Sequence, residues 1–245
     1  MIFDTVLNDQ AKEIWKELEW EPSNEQFIQL ISLQHLLKEW NRKVNLTRLT
    51  EGNDFWISQI LDSLWPIKNV LQRPYQRLNI IDVGTGCGLP GLAIAIALPN
   101  ASITLVDSIY KKTCAVKEIS NKLSILNRIN IRTERVELTG QNIKFRGQYD
   151  LAIARAVAGG PVLAEYLIPL LKPAGKAILY KGNWTENDQT ELIHALSQLK
   201  AKVEKKETFH LPESRGIRNI IKLTTDGKCP KQYPRAVGIP TKKPL

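Results

Sequence analysis

The sequence predicts an α/β fold in which a doubly wound, mostly parallel sheet carries an antiparallel edge hairpin and an N-terminal helical cap. From Leu78 onward, short runs rich in Ile and Val alternate with helical stretches, which is typical of parallel βαβ units with right-handed crossovers. The last two extended stretches follow each other without a helix between them, which indicates a hairpin. The first 70 residues instead place apolar side chains at helical spacing.

These patterns divide the chain into a cap over residues 1–70, a main domain over 71–226 and a basic, Pro-rich tail over 227–245 that we expect to be extended. Three helices are predicted in the cap. The first covers Asp9–Leu18, the second begins at a capping box of Ser23 and Gln26, and the third covers Asp54–Leu64. The predicted strands of the main domain are Leu78–Val83, Ser102–Val106, Ile129–Thr133, Leu151–Ala154, Lys176–Tyr180, Val203–His210 and Ile217–Thr224. The predicted helices between them are Gly91–Leu98, Lys111–Leu126, Gly160–Leu171 and Glu186–Leu199.

The composition excludes several classes of protein. Three widely spaced cysteines, Cys87, Cys114 and Cys229, form no CxxC or Cys/His cluster, so we expect neither a disulfide framework nor a metal site. The N-terminus is acidic where a signal peptide would be basic, and the longest apolar run, Leu92–Leu98, is far shorter than the ~20 residues of a membrane helix. A soluble, cytoplasmic protein without a membrane partner is therefore expected.

The net charge of +9 is concentrated at the C-terminal end. Residues 200–245 hold twelve Lys and Arg against four Asp and Glu, whereas the rest of the chain is almost neutral. Such a region either keeps the protein in solution or forms a basic face that binds a polyanion by neutralising its phosphates. We favour the polyanion interpretation.

The strongest local signal is the segment Asp82-Val83-Gly84-Thr85-Gly86-Cys87-Gly88-Leu89-Pro90-Gly91, in which a buried strand ends in a glycine-rich turn before a helix. Glycines allow positive φ and let a ligand approach the backbone closely. Asp107 follows Gly84 by 23 residues, at the end of the next strand. That is the expected position of an acid that accepts hydrogen bonds from a ribose in an open α/β sheet. A plain turn followed by an exposed aspartate is the alternative interpretation.

Two features of this turn favour S-adenosylmethionine over a dinucleotide. Asp82 precedes Gly84 by two residues, which gives a D-x-G-x-G-x-G form similar to the first motif of Rossmann-like methyltransferases. Pro90 stands just before the helix, and three glycines precede it in the loop, so the turn is wider than one that presents helix amides to a pyrophosphate. S-adenosylmethionine has no phosphate to bind, and a wider loop suits its methionine end.

Further segments resemble the bacterial small-subunit ribosomal RNA guanine-N7 methyltransferase G family, also called glucose-inhibited division protein B. The resemblance runs from about residue 25 to the C-terminus and includes the segments after Arg215 and Tyr233. Two positions depart from the family pattern: Gln59 replaces a common histidine, and Cys87 replaces proline or alanine. The segments that carry the resemblance are Trp40–Thr47, Ile60–Leu64, Leu105–Ser108 with Lys111 and Lys112, Ala154–Ala158 and Tyr180–Gly182.

This resemblance implies a seven-stranded Rossmann-like fold and methyl transfer from S-adenosylmethionine to N7 of a guanine in 16S rRNA, nucleotide 527 in bacterial numbering. Its partner is 16S rRNA or the small ribosomal subunit, and we expect a monomer. Arg155 is expected to position the cofactor. The positions that match the family's cofactor site are Gly84, Leu89, Asp107, Ser108, Ile109, Val136, Glu137 and Arg155. Lys111, Lys112, Lys181 and Arg218 are the candidate RNA-binding residues.

No catalytic base is expected, because N7 of guanine already carries an in-plane lone pair and orientation with desolvation suffices. His35, His194 and His210 are therefore interpreted as structural or surface residues. For Asp62 a turn-capping role and a site role stay open, and Trp184 is mainly expected in the core, although it could stack on a base. The alternatives to a methyltransferase are a nicotinamide-dependent oxidoreductase and a non-catalytic RNA-binding or assembly protein.

Overall fold

The computed structural model describes residues 12–245, and its centre is one seven-stranded sheet. The strands are β1 (Asn79–Val83), β2 (Ser102–Asp107), β3 (Ile129–Thr133), β4 (Tyr149–Arg155), β5 (Leu171–Lys181), β6 (Ala201–His210) and β7 (Ile217–Thr225). They lie in the order β3-β2-β1-β4-β5-β7-β6, and only β7 runs antiparallel to its neighbours. The predicted doubly wound sheet with an antiparallel edge hairpin is confirmed.

The helices of the main domain cover both faces of this sheet, so every residue of β1 and β2 after the first is buried, the polar side chains of Asp82 and Thr104 included. Pro169 ends the regular helix before β5 earlier than predicted, because proline has no N–H to donate. A short helix after β3 was not predicted. The helices are α6 (Gly91–Ala97), α7 (Tyr110–Lys122), α8 (Val136–Gln141), α9 (Gly160–Leu167) and α10 (Glu186–Leu199).

The N-terminal cap is helical. It contains α1 (12–18), α2 (Asn24–Asn41), α3 (Gly52–Phe55), a π-helical turn (Trp56–Leu61), α4 (Asp62–Leu64), a 3₁₀ turn (Trp65–Ile67) and α5 (Lys68–Leu71). The predicted helix Asp9–Leu18 is described only from residue 12, and its first three residues lie outside the described part. The capping box of Ser23 and Gln26 is confirmed. The buried side chains of Leu37 and Trp56 in the cap share one hydrophobic cluster with Leu92 of α6.

The C-terminal segment, 227–245, is folded against the main domain, which differs from the extended tail that its sequence predicts. The Arg146 guanidinium donates to the carbonyl oxygens of Cys229 (3.1 Å) and Pro230 (3.0 Å). The Tyr233 side chain is buried, and a short helix, α11 (Ile239–Lys242), follows it. Side chains of the main domain thus provide the contacts that order this segment. None of the helices in residues 12–245 is both long enough and apolar enough to cross a bilayer.

Candidate active site

The strand order reverses between β1 and β4, and the crevice where such sheets bind ligands lies at the carboxyl ends of these two strands. The glycine loop, residues 84–90, leaves β1 at this point. Gly84 has φ +70°, and a Cβ on it would lie 2.5 Å from Cγ2 of Val157 in the loop after β4. Gly88 has φ +92°, and a Cβ on it would lie 2.5 Å from Cδ1 of Leu92. The turn thus requires glycine at both positions, for backbone conformation and for space.

Asp82 fixes the shape of the loop from below. Its Oδ2 accepts hydrogen bonds from the Thr85 hydroxyl (2.7 Å) and from the Gly91 backbone N–H (2.9 Å). Burial raises the pKa of Asp82 to about 6, and these two hydrogen bonds oppose that rise only in part. Because its side chain is fully buried, Asp82 does not contact a ligand but shapes the glycine loop, residues 84–90, which forms the cradle.

Asp107 lies at the carboxyl end of β2, beside the loop. Its Oδ2 accepts from Gly86 N–H (2.9 Å) and its Oδ1 accepts from Ile109 N–H (2.8 Å). Each carboxylate oxygen can accept a further hydrogen bond, so two ribose hydroxyl groups could donate to this side chain. Ser108 and Ile109 follow it and are exposed. The structure therefore brings together the glycine turn and the acid that the sequence places 23 residues apart.

Three of the expected cofactor residues have buried side chains, which limits how they could contact a ligand. The side chains of Leu89 and Val136 are buried in the core. The Glu137 carboxylate accepts from Gly238 N–H of the C-terminal segment (2.9 Å) and from the Arg135 guanidinium (3.4 Å). Burial acts to raise the pKa of Glu137, but these hydrogen bonds outweigh it and the pKa is lowered. A ligand contact at Glu137 would therefore come from its backbone.

Arg155, at the end of β4, faces the cap. Its Nη1 donates to Oδ2 of Asp62 (3.1 Å) and its Nη2 to Oε1 of Gln59 (2.5 Å). Arg218 of β7 donates through Nε to Oδ1 of the same aspartate (2.9 Å). Gln59 also donates to the Thr47 hydroxyl (2.9 Å). The sequence placed Arg155 at the crevice but gave no signal that Asp62 joins two arginines.

The four candidate RNA-binding residues have different surroundings. Lys111 and Lys112 open α7, and neither forms an ion pair within residues 12–245. Lys181 is half-buried and donates to the Ala158 carbonyl oxygen (2.8 Å), and burial lowers its pKa. Arg218 is held by Asp62 and is 25 % exposed. Trp184 is buried and donates to Gln189, so its role is in the core and its ring does not offer a stacking face.

The C-terminal charges do not form one uninterrupted basic face. Within residues 12–245, six of the twelve basic residues after residue 199 pair with acids. Lys205 and Lys222 both contact Glu207, and Arg235 contacts the buried Glu165. The other three are Lys202, Arg215 and Arg218. The charge count alone therefore overstates the positive charge that this region offers to a polyanion.

A glycine cradle after β1, a carboxylate at the end of β2 and this strand order define a Rossmann-like, S-adenosylmethionine-dependent methyltransferase. Solved structures share the fold. A Bacillus cereus O-methyltransferase in complex with S-adenosylhomocysteine matches with a TM-score of 0.56 at 14% identity, over 79% of this chain and 90% of that one. A Catenulisporales acidiphilia 16S rRNA (adenine(1408)-N(1))-methyltransferase matches with a TM-score of 0.52 at 16% identity, over 67% and 93%.

The chain belongs to the family of rRNA small subunit methyltransferase G, whose family model matches residues 26–221. Two curated relatives carry the name ribosomal RNA small subunit methyltransferase G. The one from Prochlorococcus marinus strain SARG is 61% identical over 96% of this chain and 93% of its own length. The one from Synechococcus sp. strain CC9902 is 54% identical over 95% of this chain and 96% of its own length. The family resemblance read from the motifs is confirmed.

Proposed function

We propose that the protein transfers the methyl group of S-adenosylmethionine to N7 of a guanine in 16S rRNA, nucleotide 527 in bacterial numbering. The products are 7-methylguanosine and S-adenosylhomocysteine. One observation supports the proposal: in a member of this family, the Asp107 carboxylate accepts from the Gly86 N–H of the glycine loop, and Arg155 and Arg218 lie at the same edge of the sheet. The proposed enzyme is monomeric and cytoplasmic, and its partner is 16S rRNA or the small ribosomal subunit.

The residues present fit the proposed cofactor. Asp107 retains acceptor capacity for the ribose hydroxyls, and a Cβ at Gly84 or Gly88 would alter the cradle. The hydrogen bonds that Arg155 makes within residues 12–245 use Nη1 and Nη2 but not Nε. Its Nε–H can therefore donate to the carboxylate of the cofactor. When bound, the cofactor supplies an electrophilic sulfonium methyl group. The proposed cofactor-binding residues are Gly84, Leu89, Asp107, Ser108, Ile109, Val136, Glu137 and Arg155.

The reaction needs no general base from this chain, because the N7 lone pair attacks without prior deprotonation. Asp82 is covered by the loop, and Asp62 already accepts from two arginines. The exposed histidines His35 and His194 lie on α2 and α10, and His210 lies at the end of the edge strand β6. The protein therefore contributes by orienting the guanine in line with the methyl group and by excluding water.

The RNA is proposed to cross the carboxyl edge of the sheet. Lys111 and Lys112 follow Asp107 by four and five residues. On the other side of the crevice, Lys181 of β5 pairs with Asn219 of β7, the residue after Arg218. These four basic residues would contact phosphates on both sides of the cofactor cradle. Phosphate contacts position a nucleic acid, whereas base contacts select its sequence.

The test uses labelled S-adenosylmethionine and 16S rRNA that lacks this methyl group, followed by mass-spectrometric mapping of the modified nucleotide. We expect one 7-methylguanosine at the target position, and no label with an Asp107→Ala variant. Label that enters a small metabolite but not the RNA contradicts the proposal. Tight binding of NAD(H) in place of S-adenosylhomocysteine would favour the oxidoreductase, and full function of Asp107→Ala in cells would favour a non-catalytic assembly protein.

A further inference from the structure

One carboxylate, that of Asp62, joins Arg155 at the end of β4 to Arg218 of β7, both on the same side of the crevice. Its Oδ2 accepts from Arg155 (3.1 Å) and its Oδ1 accepts from Arg218 (2.9 Å). The Asp62 side chain is only 5 % exposed, Arg155 is 16 % exposed and Arg218 is 25 % exposed. Charge-assisted hydrogen bonds in such a sheltered place are strong and directional. Both guanidinium groups are thus oriented by the same buried acid.

Each arginine keeps N–H groups that do not donate to Asp62. A guanidinium has five N–H groups. Arg155 uses Nη1 and Nη2 for Asp62, Gln59 and the Ser58 carbonyl oxygen, and its Nε makes no hydrogen bond to residues 12–245. Arg218 uses Nε for Asp62 and Nη1 for the Ile217 carbonyl oxygen, and its Nη2 makes none within the same range. Each arginine can therefore bind an anion while Asp62 still holds it.

Both the cap and the sheet fix the position of Asp62. The residue begins α4 directly after the π-helical turn Trp56–Leu61, and the Tyr180 hydroxyl of β5 donates to the next carbonyl oxygen, that of Ser63 (2.9 Å). Tyr180 is itself buried and pairs in register with Arg155. The carboxylate therefore has little freedom to follow an arginine that moves.

We propose that Asp62 is a positioning residue that orients Arg155 toward the methyl donor and Arg218 toward the RNA, and so serves two binding sites without contacting either ligand. This inference rests on the proposed function, which assigns those two ligands. Without the carboxylate, no negative charge would lie between the two neighbouring guanidinium groups, and they would repel each other. Each would also lose the hydrogen bond that fixes its orientation.

The first experiment replaces Asp62 by Asn. An amide keeps one acceptor oxygen but points an NH₂ group at the other arginine, so at least one contact is lost. We expect the dissociation constants for S-adenosylhomocysteine and for 16S rRNA each to rise roughly tenfold, as the loss of one charge-assisted hydrogen bond predicts. In steady state both KM values should rise, while kcat changes less than about threefold. Asp62→Glu should restore part of both affinities.

The matched control is Asp54→Asn. Asp54 is also an aspartate of the cap, and it is paired with an arginine before β7, Arg215, which the proposal assigns to no ligand. We expect both dissociation constants of this control to stay within twofold of the wild-type values. A purely structural role of Asp62 would lower the active fraction, and therefore kcat, without changing either KM. A folded Asp62→Asn variant with wild-type KM values for both substrates would overturn the inference.

A second variant keeps the test decisive if Asp62→Asn does not fold. In Arg218→Ala, Oδ1 of Asp62 is freed and can draw Arg155 away from the donor site, so S-adenosylhomocysteine should bind several-fold more weakly although Arg218 is assigned to RNA. Unchanged binding of S-adenosylhomocysteine by this variant overturns the inference. Failure of the wild-type protein to bind S-adenosylhomocysteine at all would instead overturn the proposed function.

Discussion

Replacement of Asp82 by Asn should remove a pH dependence of folding stability that the structure attributes to one buried carboxyl group. Asp82 is fully buried beneath the glycine loop, where Oδ2 accepts both of its hydrogen bonds and Oδ1 has no hydrogen-bond partner among residues 12–245. Asparagine has the same shape. Its amide oxygen can take the place of Oδ2 and its NH₂ group the place of the unpartnered Oδ1.

The magnitude follows from the pKa. Burial raises the pKa of Asp82 from 3.8 to about 6. A pKa that is higher in the folded state than in the unfolded state adds stability below pH ~4, where both states are protonated, and this stability is lost as the pH rises through about 6. At 1.36 kcal/mol per unit, the total loss is about 3 kcal/mol, and about half of it falls between pH 5 and pH 7.5.

The assay is urea unfolding of the wild-type and Asp82→Asn proteins across that pH range, with the difference between their unfolding free energies as the readout. We expect the variant to gain about 1.5 kcal/mol relative to the wild-type protein between pH 5 and pH 7.5. Asp82→Ala serves as the control for the two loop hydrogen bonds and should weaken S-adenosylhomocysteine binding. A difference that stays constant with pH would refute the reasoning.

Three other substitutions test the cradle, the RNA surface and the C-terminal segment. Gly84→Ala places a methyl group against Val157 at a positive φ, so it should cost about 1–2 kcal/mol in urea unfolding and weaken S-adenosylhomocysteine binding in calorimetry. Lys111→Ala should reduce the slope of log K for RNA against log[salt] by about 0.7, and an unchanged slope removes Lys111 from the interface. Glu165→Gln removes the negative charge that faces Arg235 but keeps one acceptor oxygen, so it should lower the unfolding free energy by about 2 kcal/mol, with faster proteolysis within 227–245 as a second readout.

The cradle could be predicted because its signals are local in sequence. Gly84 and Gly88 are required by the conformation of their own turn, and one βαβ unit fixes the position of Asp107 relative to that turn. Secondary structure was predicted where apolar periodicity is strong, as in β3 and α10, whose bounds match those observed. Elements without such periodicity, such as α8, were missed.

The arginine cluster and the folded C-terminal segment could not be predicted in the same way. The contact between Asp62 and Arg218 joins residues 156 positions apart, and the contact between Glu165 and Arg235 joins residues 70 positions apart. Single side chains make these contacts without any repeating pattern along the chain. A basic, proline-rich composition describes an exposed tail and a segment held by buried partners equally well.

The same distinction governs how the charge of this protein should be interpreted. Net charge counts every basic residue, but the charge of Arg235 is matched one to one by the buried carboxylate of Glu165, so this pair adds little to the attraction of RNA. Arg155 and Arg218 differ, because both share the single negative charge of Asp62. Lys111 and Lys112 carry less total charge than the C-terminal region, yet they follow Asp107 by only four and five residues and form no ion pair within residues 12–245. Because phosphate contacts act at short range in physiological salt, position relative to the cradle decides which charges guide the RNA.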